Sequence, residues 1–217
     1  MKTTRRDFIG LLAAATALTH AAVAHAQRRP PDAGIDYKVL ERPQPTESGS
    51  KIEIAEFFWY GCPHCFAFEP ALAPWIKKLA PDVAFRRVPA LFGPAWVQHA
   101  KLYYALESLG EVDRLHRICF EAIHLERQQL TQDAEMIEWA GKNGVDRGRF
   151  GAALAAAANV DRFNRVQQLI NGYGVDGVPA MGVNGRFLTS PSMVGSQDRC
   201  LSVIDALIDQ ERRARRA

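Results

Sequence analysis

Along this chain apolar residues alternate with polar ones in a few short runs and recur every three or four positions through most of the remainder. Ile52, Ile54, Glu56 and Phe58 share one parity within residues 51–60, which predicts a strand whose otherwise apolar face carries one carboxylate. Residues 37–40 predict a short edge strand before it, and residues 83–88 a parallel strand after it. Between these two, Phe66, Leu72, Trp75, Ile76 and Leu79 mark a helix over residues 62–79, bent at Pro70 and Pro74. From 94 to 173 the period is helical. Residues 95–109 stop at Gly110, and 112–125 repeat the pattern. Thr131 is placed to cap a helix through Ala140, with Gly144 just past its end. The Ala-rich 150–158 and then 161–173 complete an α-rich middle. Alternation returns at 180–183 and 186–188, a hairpin around Asn184-Gly185. Ser196 caps a last helix with Cys200, Ile204, Leu207 and Ile208 on one face.

The first 26 residues stand apart from this pattern. Lys2, Arg5 and Arg6 form a positive start, residues 8–23 are rich in Ala and Leu, and Ala24-His25-Ala26 fits a small-x-small cleavage site. Residues 1–26 therefore read as a signal peptide, and the mature protein as an exported one beginning near Gln27. Thr4-Arg5-Arg6-Asp7-Phe8-Ile9 also resembles a twin-arginine export signal. An ordinary leader with two arginines is the other reading, and both stay open. Residues 27–34 are polar and Pro-rich and read as a loose lead-in.

Composition is that of a globular protein, and charge narrows the partners. The precursor's net charge is +3, and the leader's three basic residues and one acid leave about +1 on the mature chain. That balance gives no support for a nucleic-acid partner. The cluster Arg212, Arg213, Arg215 and Arg216 reads as a solvated, fraying helix end.

The chemistry concentrates at Glu56-Phe57-Phe58-Trp59-Tyr60-Gly61-Cys62-Pro63-His64-Cys65. A helix start presents unpaired N–H groups and a partial positive charge, so a cysteine there is held as thiolate. Pro63 suits the first helical position because it has no N–H to leave unbonded, and His64 adds a donor or a positive charge beside Cys62. Each pKa unit is worth about 1.4 kcal/mol. For a two-electron thiol couple that energy corresponds to about 30 mV. Stabilising the thiolate stabilises the reduced form, which makes the disulfide a stronger oxidant. A zinc site is the competing use of Cys-x-x-Cys, but no second Cys-x-x-Cys or His-x-x-x-His completes four ligands. Glu56, by its parity, is expected to be buried, where a carboxyl's pKa rises and it exchanges protons near neutrality.

Glu56-Phe57-Phe58, Cys62-Pro63-His64-Cys65 and the distant Gly177-Val178-Pro179-Ala180 together resemble the DsbA family of bacterial periplasmic thiol oxidases, over roughly residues 35–210. The resemblance implies an α/β, thioredoxin-like fold with a helical insertion domain: residues 35–93 and 174–214 would form the thioredoxin-like part around an insert at 94–173. It implies a periplasmic thiol:disulfide oxidoreductase that donates the Cys62–Cys65 disulfide to newly exported proteins through a mixed disulfide. That family marks the low-pKa, oxidising extreme of Cys-x-x-Cys proteins, a property that comes with the resemblance. It implies further that Glu56 relays protons to Cys65. Val178-Pro179, trans on general grounds, would form a cis-proline loop beside the cysteines, where its backbone pairs with an extended substrate. The implied partners are exported proteins with free cysteines and a DsbB-type, quinone-linked membrane reoxidase. The chain is expected to be a monomer, with no metal or organic cofactor.

Two other readings stay open from residues alone: a thiol reductase or isomerase on the same fold, which Cys-Pro-His-Cys disfavours, and a non-catalytic exported peptide-binding module with structural cysteines. Cys119 and Cys200 each share a helical stripe with aliphatic residues. They are expected as two buried thiols, with a second disulfide as the alternative. His116 and His124, near Cys119, have irregular spacing and read as ordinary histidines.

Overall fold

The computed structural model describes residues 29–216, and the expected signal peptide lies outside the described residues. The alternating runs become strands β1 (Lys38–Val39), β2 (Ile52–Phe58), β3 (Val83–Pro89), β4 (Ala180–Val183) and β5 (Phe187–Thr189), in one sheet of order β1-β5-β4-β2-β3. β2 runs parallel to β3 and antiparallel to β4, so β4 rather than β2 is the middle strand. The helices are α1 (Pro63–Ile76), α2 (Pro94–Ser108), α3 (Val112–His124), α4 (Asp133–Lys142), α5 (Arg147–Ala157), α6 (Val160–Tyr173), α7 (Pro191–Val194) and α8 (Gln197–Ala214).

Every residue of β2 is buried, because the sheet is covered on both faces. Ala55 and Phe57 belong to a core with Leu102, Leu106, Phe120, Phe150 and Ile170 from the helical middle. Ile52 and Ile54 belong to a second core with Phe68 and Leu72 of α1 and Ile204 and Leu207 of α8. Burying each such side chain contributes about 1.5–3 kcal/mol. Phe58 has the parity of Ile54 yet packs into the first core. Glu56, between them, lies at the seam of the two cores.

Several local expectations shift. The cap of α4 is Gln132, not Thr131, because the Glu135 carboxylate accepts both the Thr131 and the Gln132 N–H, at 3.2 and 3.4 Å. The α1 helix ends three residues before Leu79, and α7 is too short to show a period. The expected hairpin is present, with Asn184 and Gly185 both at positive φ and the Arg186 N–H donating to the Val183 carbonyl at 3.0 Å.

Both ends of the described residues are better anchored than composition suggests. Asp36 is buried and is met by Arg29 and Arg199, each at 3.0 Å, so the lead-in is tied to α8 where it enters the described residues. The basic end of α8 is solvated as expected, with Arg213, Arg215 and Arg216 exposed, yet it is pinned: Arg212 pairs with Asp82 at 2.7 Å, and Arg215 donates to the Ser50 carbonyl. Arg212, in the last turn of α8, and Arg215, which caps its end, reach the edges of the loops beneath it, contacts that no local pattern announces. Among the described residues no helix is long and apolar enough to cross a membrane.

Candidate active site

The chain leaves β2 at Phe58 and turns through Trp59-Tyr60-Gly61 into α1. The Cys62 N–H closes the turn on the Trp59 carbonyl at 3.0 Å. Gly61 is required there, since a Cβ would come within 2.4 Å of the Trp59 ring, which is itself stacked on Trp96. Cys62 is the N-cap of α1, in extended conformation, and Pro63 occupies the first turn. The sulfur of Cys62 is thereby surrounded by donors. Its pKa falls to about 6, first through the Cys65 thiol hydrogen, then through the backbone N–H groups of Cys65 and His64, and least through the His64 charge, all against the cost of burial. His64 is exposed, and its imidazole contributes less than its own backbone N–H.

Cys65 is the opposite case. It is completely buried, and burial, the neighbouring Cys62 sulfur and the Glu56 charge push its thiol far up. Cys62 keeps 7% of its surface against 0% for Cys65, so only the Cys62 sulfur is open to an incoming thiolate. At neutral pH the reduced site holds one accessible thiolate and one inaccessible thiol.

Val178-Pro179, some 116 residues downstream, arrives beside this pair through a cis peptide bond. The Val178 carbonyl oxygen lies 3.4 Å from Cys62 Sγ, within reach of that group as a thiol, and the chain then enters β4 antiparallel to β2. Asp176 and Gly177 are exposed just before it, which leaves backbone open alongside the sulfur.

Beneath the cysteines lies a buried polar cluster. Glu56 has no exposed surface, and burial raises its pKa well above the carboxylate range, with Arg87 opposing and Glu69 adding to the rise. Arg87 bridges the two acids: its Nε is 3.1 Å from Glu56 Oε2 and its Nη2 is 3.1 Å from Glu69 Oε1. His116 reaches Glu69 through Nε2 at 3.2 Å and Tyr60 through Nδ1 at 2.9 Å. Of this cluster the residue pattern singles out only Glu56. Glu69 could have been found at helical spacing four residues after Cys65. Arg87 could have been found by aligning Val83 and Phe85 with Ile52 and Ile54, which sets Arg87 opposite Glu56. His116 carries no such local signal, because its role depends on where α3 packs. His124 stacks flat on Phe66 and meets the Tyr60 carbonyl through Nε2 at 2.8 Å, which braces the turn before Cys62.

Cys119 lies in the helical core and Cys200 in the core under α8, and all four cysteines are free thiols in this structure. Among the described residues no group of three or more His, Cys, Asp or Glu is placed to hold a metal ion.

Residues 53–200 match the family described as the DSBA-like thioredoxin domain. The thiol:disulfide interchange protein DsbA of Pseudomonas aeruginosa is 41% identical over 182 residues, covering 84% of this chain and 86% of that protein. DsbA of Azotobacter vinelandii is 37% identical over 212 residues, covering 97% and 99%. The crystal structure of P. aeruginosa DsbA superposes with a TM-score of 0.79 at 39% identity, over 86% of this chain and 97% of that one.

Proposed function

The chain belongs to the DSBA-like thioredoxin family and is a thiol:disulfide oxidoreductase, and we propose that it acts in the periplasm as a dithiol oxidase of newly exported proteins. The observation that carries this direction of flow is the asymmetry of the two sulfurs. A Cys62 held as thiolate near neutrality, beside a buried Cys65 that resists ionisation, favours the reduced site over the disulfide. The site therefore gives its disulfide away.

In the forward step a substrate thiolate attacks Cys62 Sγ in the oxidised enzyme. The Cys62–Cys65 bond breaks, its electron pair leaves on Cys65, and that sulfur takes up a proton. A second substrate thiolate then attacks the substrate sulfur of the mixed disulfide and expels Cys62 as its stable thiolate. Two substrate thiols become one disulfide, and the enzyme ends as the dithiol. Glu56 is the proton donor to Cys65 in this reading, supported by its burial and its raised pKa. The backbone at Val178-Pro179 would align an extended substrate against Cys62, supported by the contact of the Val178 carbonyl with that sulfur. A DsbB-type, quinone-linked membrane protein would return the dithiol to the disulfide. Export rests on the leader reading of residues 1–26, and the working unit is a monomer. Residues 35–93 and 174–214 would act as the thioredoxin-like body around a helical insert at 94–173.

Equilibration of the mature protein with glutathione buffers, with Cys119 and Cys200 replaced, tests the direction. A potential far above the thioredoxin value of about −270 mV is expected. A value in the thioredoxin range would make the same cysteines a reductase and overturn the proposal.

A further inference from the structure

Glu56 on β2 and Glu69 on α1 share one buried cation, Arg87. One guanidinium balances one carboxylate, so near neutrality the pair keeps a proton between them. The donors around them are unequal. Glu69 Oε1 accepts from Arg87 Nη2 at 3.1 Å and lies 3.2 Å from His116 Nε2. Glu56 has only the Arg87 Nε contact, out of hydrogen-bond alignment, and its buried Oε1 has no partner among the described residues. Tyr60 Oη lies 2.9 Å from His116 Nδ1, and burial keeps that phenol protonated; with its hydroxyl donating to Nδ1, the ring's one N–H is on Nε2, facing Glu69. Burial and the nearby Arg87 hold the ring neutral, with a pKa lowered to about 4, so it carries a single N–H across the working range.

We propose that His116 is a positioning residue that assigns the shared proton to Glu56, by hydrogen-bonding the ionised form of Glu69. The functional consequence rests on the relay reading of Glu56: a protonated Glu56 can supply Cys65 as it leaves the disulfide, whereas an ionised one would oppose charge on that sulfur. The other titratable groups facing the cluster are engaged elsewhere or apolar in effect. On α2, Tyr103 gives its hydroxyl to Glu107 and His99 meets the Gln129 carbonyl. Cys65 on α1 and Cys119 on α3 face it as buried thiols. None of them donates to either carboxylate.

The test is carbon NMR of the side-chain carboxyl groups in the reduced mature protein, titrated with pH, with assignments from Glu56→Gln and Glu69→Gln. In the wild type Glu56 should hold its proton to a higher pH than Glu69. In His116→Leu the ratio of Glu56-protonated to Glu69-protonated forms should fall about tenfold or more, the worth of one hydrogen bond to a charged acceptor. His116→Gln, which offers an amide N–H in place of the imidazole, should restore most of it. Tyr60→Phe, which keeps the ring but frees its tautomer, should give a smaller fall and keeps the test sharp if the leucine variant fails to fold. Carboxyl titrations unchanged in these variants, or leucine and glutamine behaving alike, would overturn the assignment. The relay is separable: a flat pH response of exchange in Glu56→Gln would sink it while leaving the proton assignment standing.

Discussion

Cys62 and Cys65 sit at the mouth of α1, while Cys119 and Cys200 lie within α3 and α8, and all four are buried. Burial alone raises a thiol: Cys119 is pushed well above its ordinary value, and Cys200 up to about 12. Cys62 also pays for burial and still ends near 6, because its sulfur accepts first from the Cys65 thiol and then from the backbone N–H groups of Cys65 and His64, which a helix start leaves without carbonyl partners. Cys65, only three residues on, sits past that opening and behaves like the inert pair. The comparison teaches that reactivity here belongs to the place of Cys62, at a helix start with a donating thiol three residues on and some surface left open, and not to cysteine as such.

The largest expected effect breaks the two pairs apart outright. Cys62→Ser should reduce oxidation of a dithiol peptide to the buffer background, while Cys119→Ala and Cys200→Ala should leave its rate within about twofold. Each of the latter should instead lower unfolding stability by roughly 0.5–1.5 kcal/mol, as for deletion of one core methyl-sized group. A tenfold loss of rate in either core variant would erase the distinction.

Next in size is accessibility. Brief alkylation of the native dithiol protein at neutral pH should modify Cys62 alone, with Cys119 and Cys200 reacting only after denaturation. The oxidised, denatured protein should then show two free thiols; finding none would mean that the two core cysteines pair after all.

The pH dependence sharpens the comparison further. The folded pKa of Cys62 is depressed, so the stabilisation of the reduced form is present above its unfolded value and is lost as pH falls through about 6. Reduction takes up two protons below that point and one above it. The potential should therefore fall by about 60 mV per pH unit in acid and about 30 mV per unit above the break. A straight line through the whole range would remove the Cys62 thiolate from the account.

The smallest effect separates backbone from side chain. His64→Ala leaves the N–H donors in place, so the potential should drop by less than about 30 mV, under one pKa unit. A larger drop would make the imidazole, and not the Cys65 thiol with the helix-start N–H groups, the main stabiliser of Cys62.

How legible the site was depended on how local each contact is. The strand parity of Ile52, Ile54 and Phe58 led to a buried Glu56, and the Cys-Pro-His-Cys spacing led to an N-cap thiol. Both follow from one element's own geometry, and both residues lie where that geometry puts them. The place of Val178-Pro179 was reached only through family likeness, since nothing near it in the chain points to Cys62. Arg87 and Glu69 went unread, and His116 was read as an ordinary histidine, because each matters through a neighbour on another element. The basic tail of α8 was half legible for the same reason: Arg213, Arg215 and Arg216 are exposed as expected, but the anchoring of Arg212 and Arg215 is unseen until Asp82 and the Ser50 carbonyl are brought under them.

Periodicity, capping residues and motif spacing thus determined the elements, the reactive cysteine and the buried acid, because those follow from backbone geometry and from burial of one face. Tertiary packing alone decided how many donors each buried carboxylate receives and which strangers along the chain meet at Cys62. Those contacts are set by the register of β2 on β3 and by the seating of α3 against α1, where a shift of one residue would leave every local pattern intact and give Arg87 a different partner.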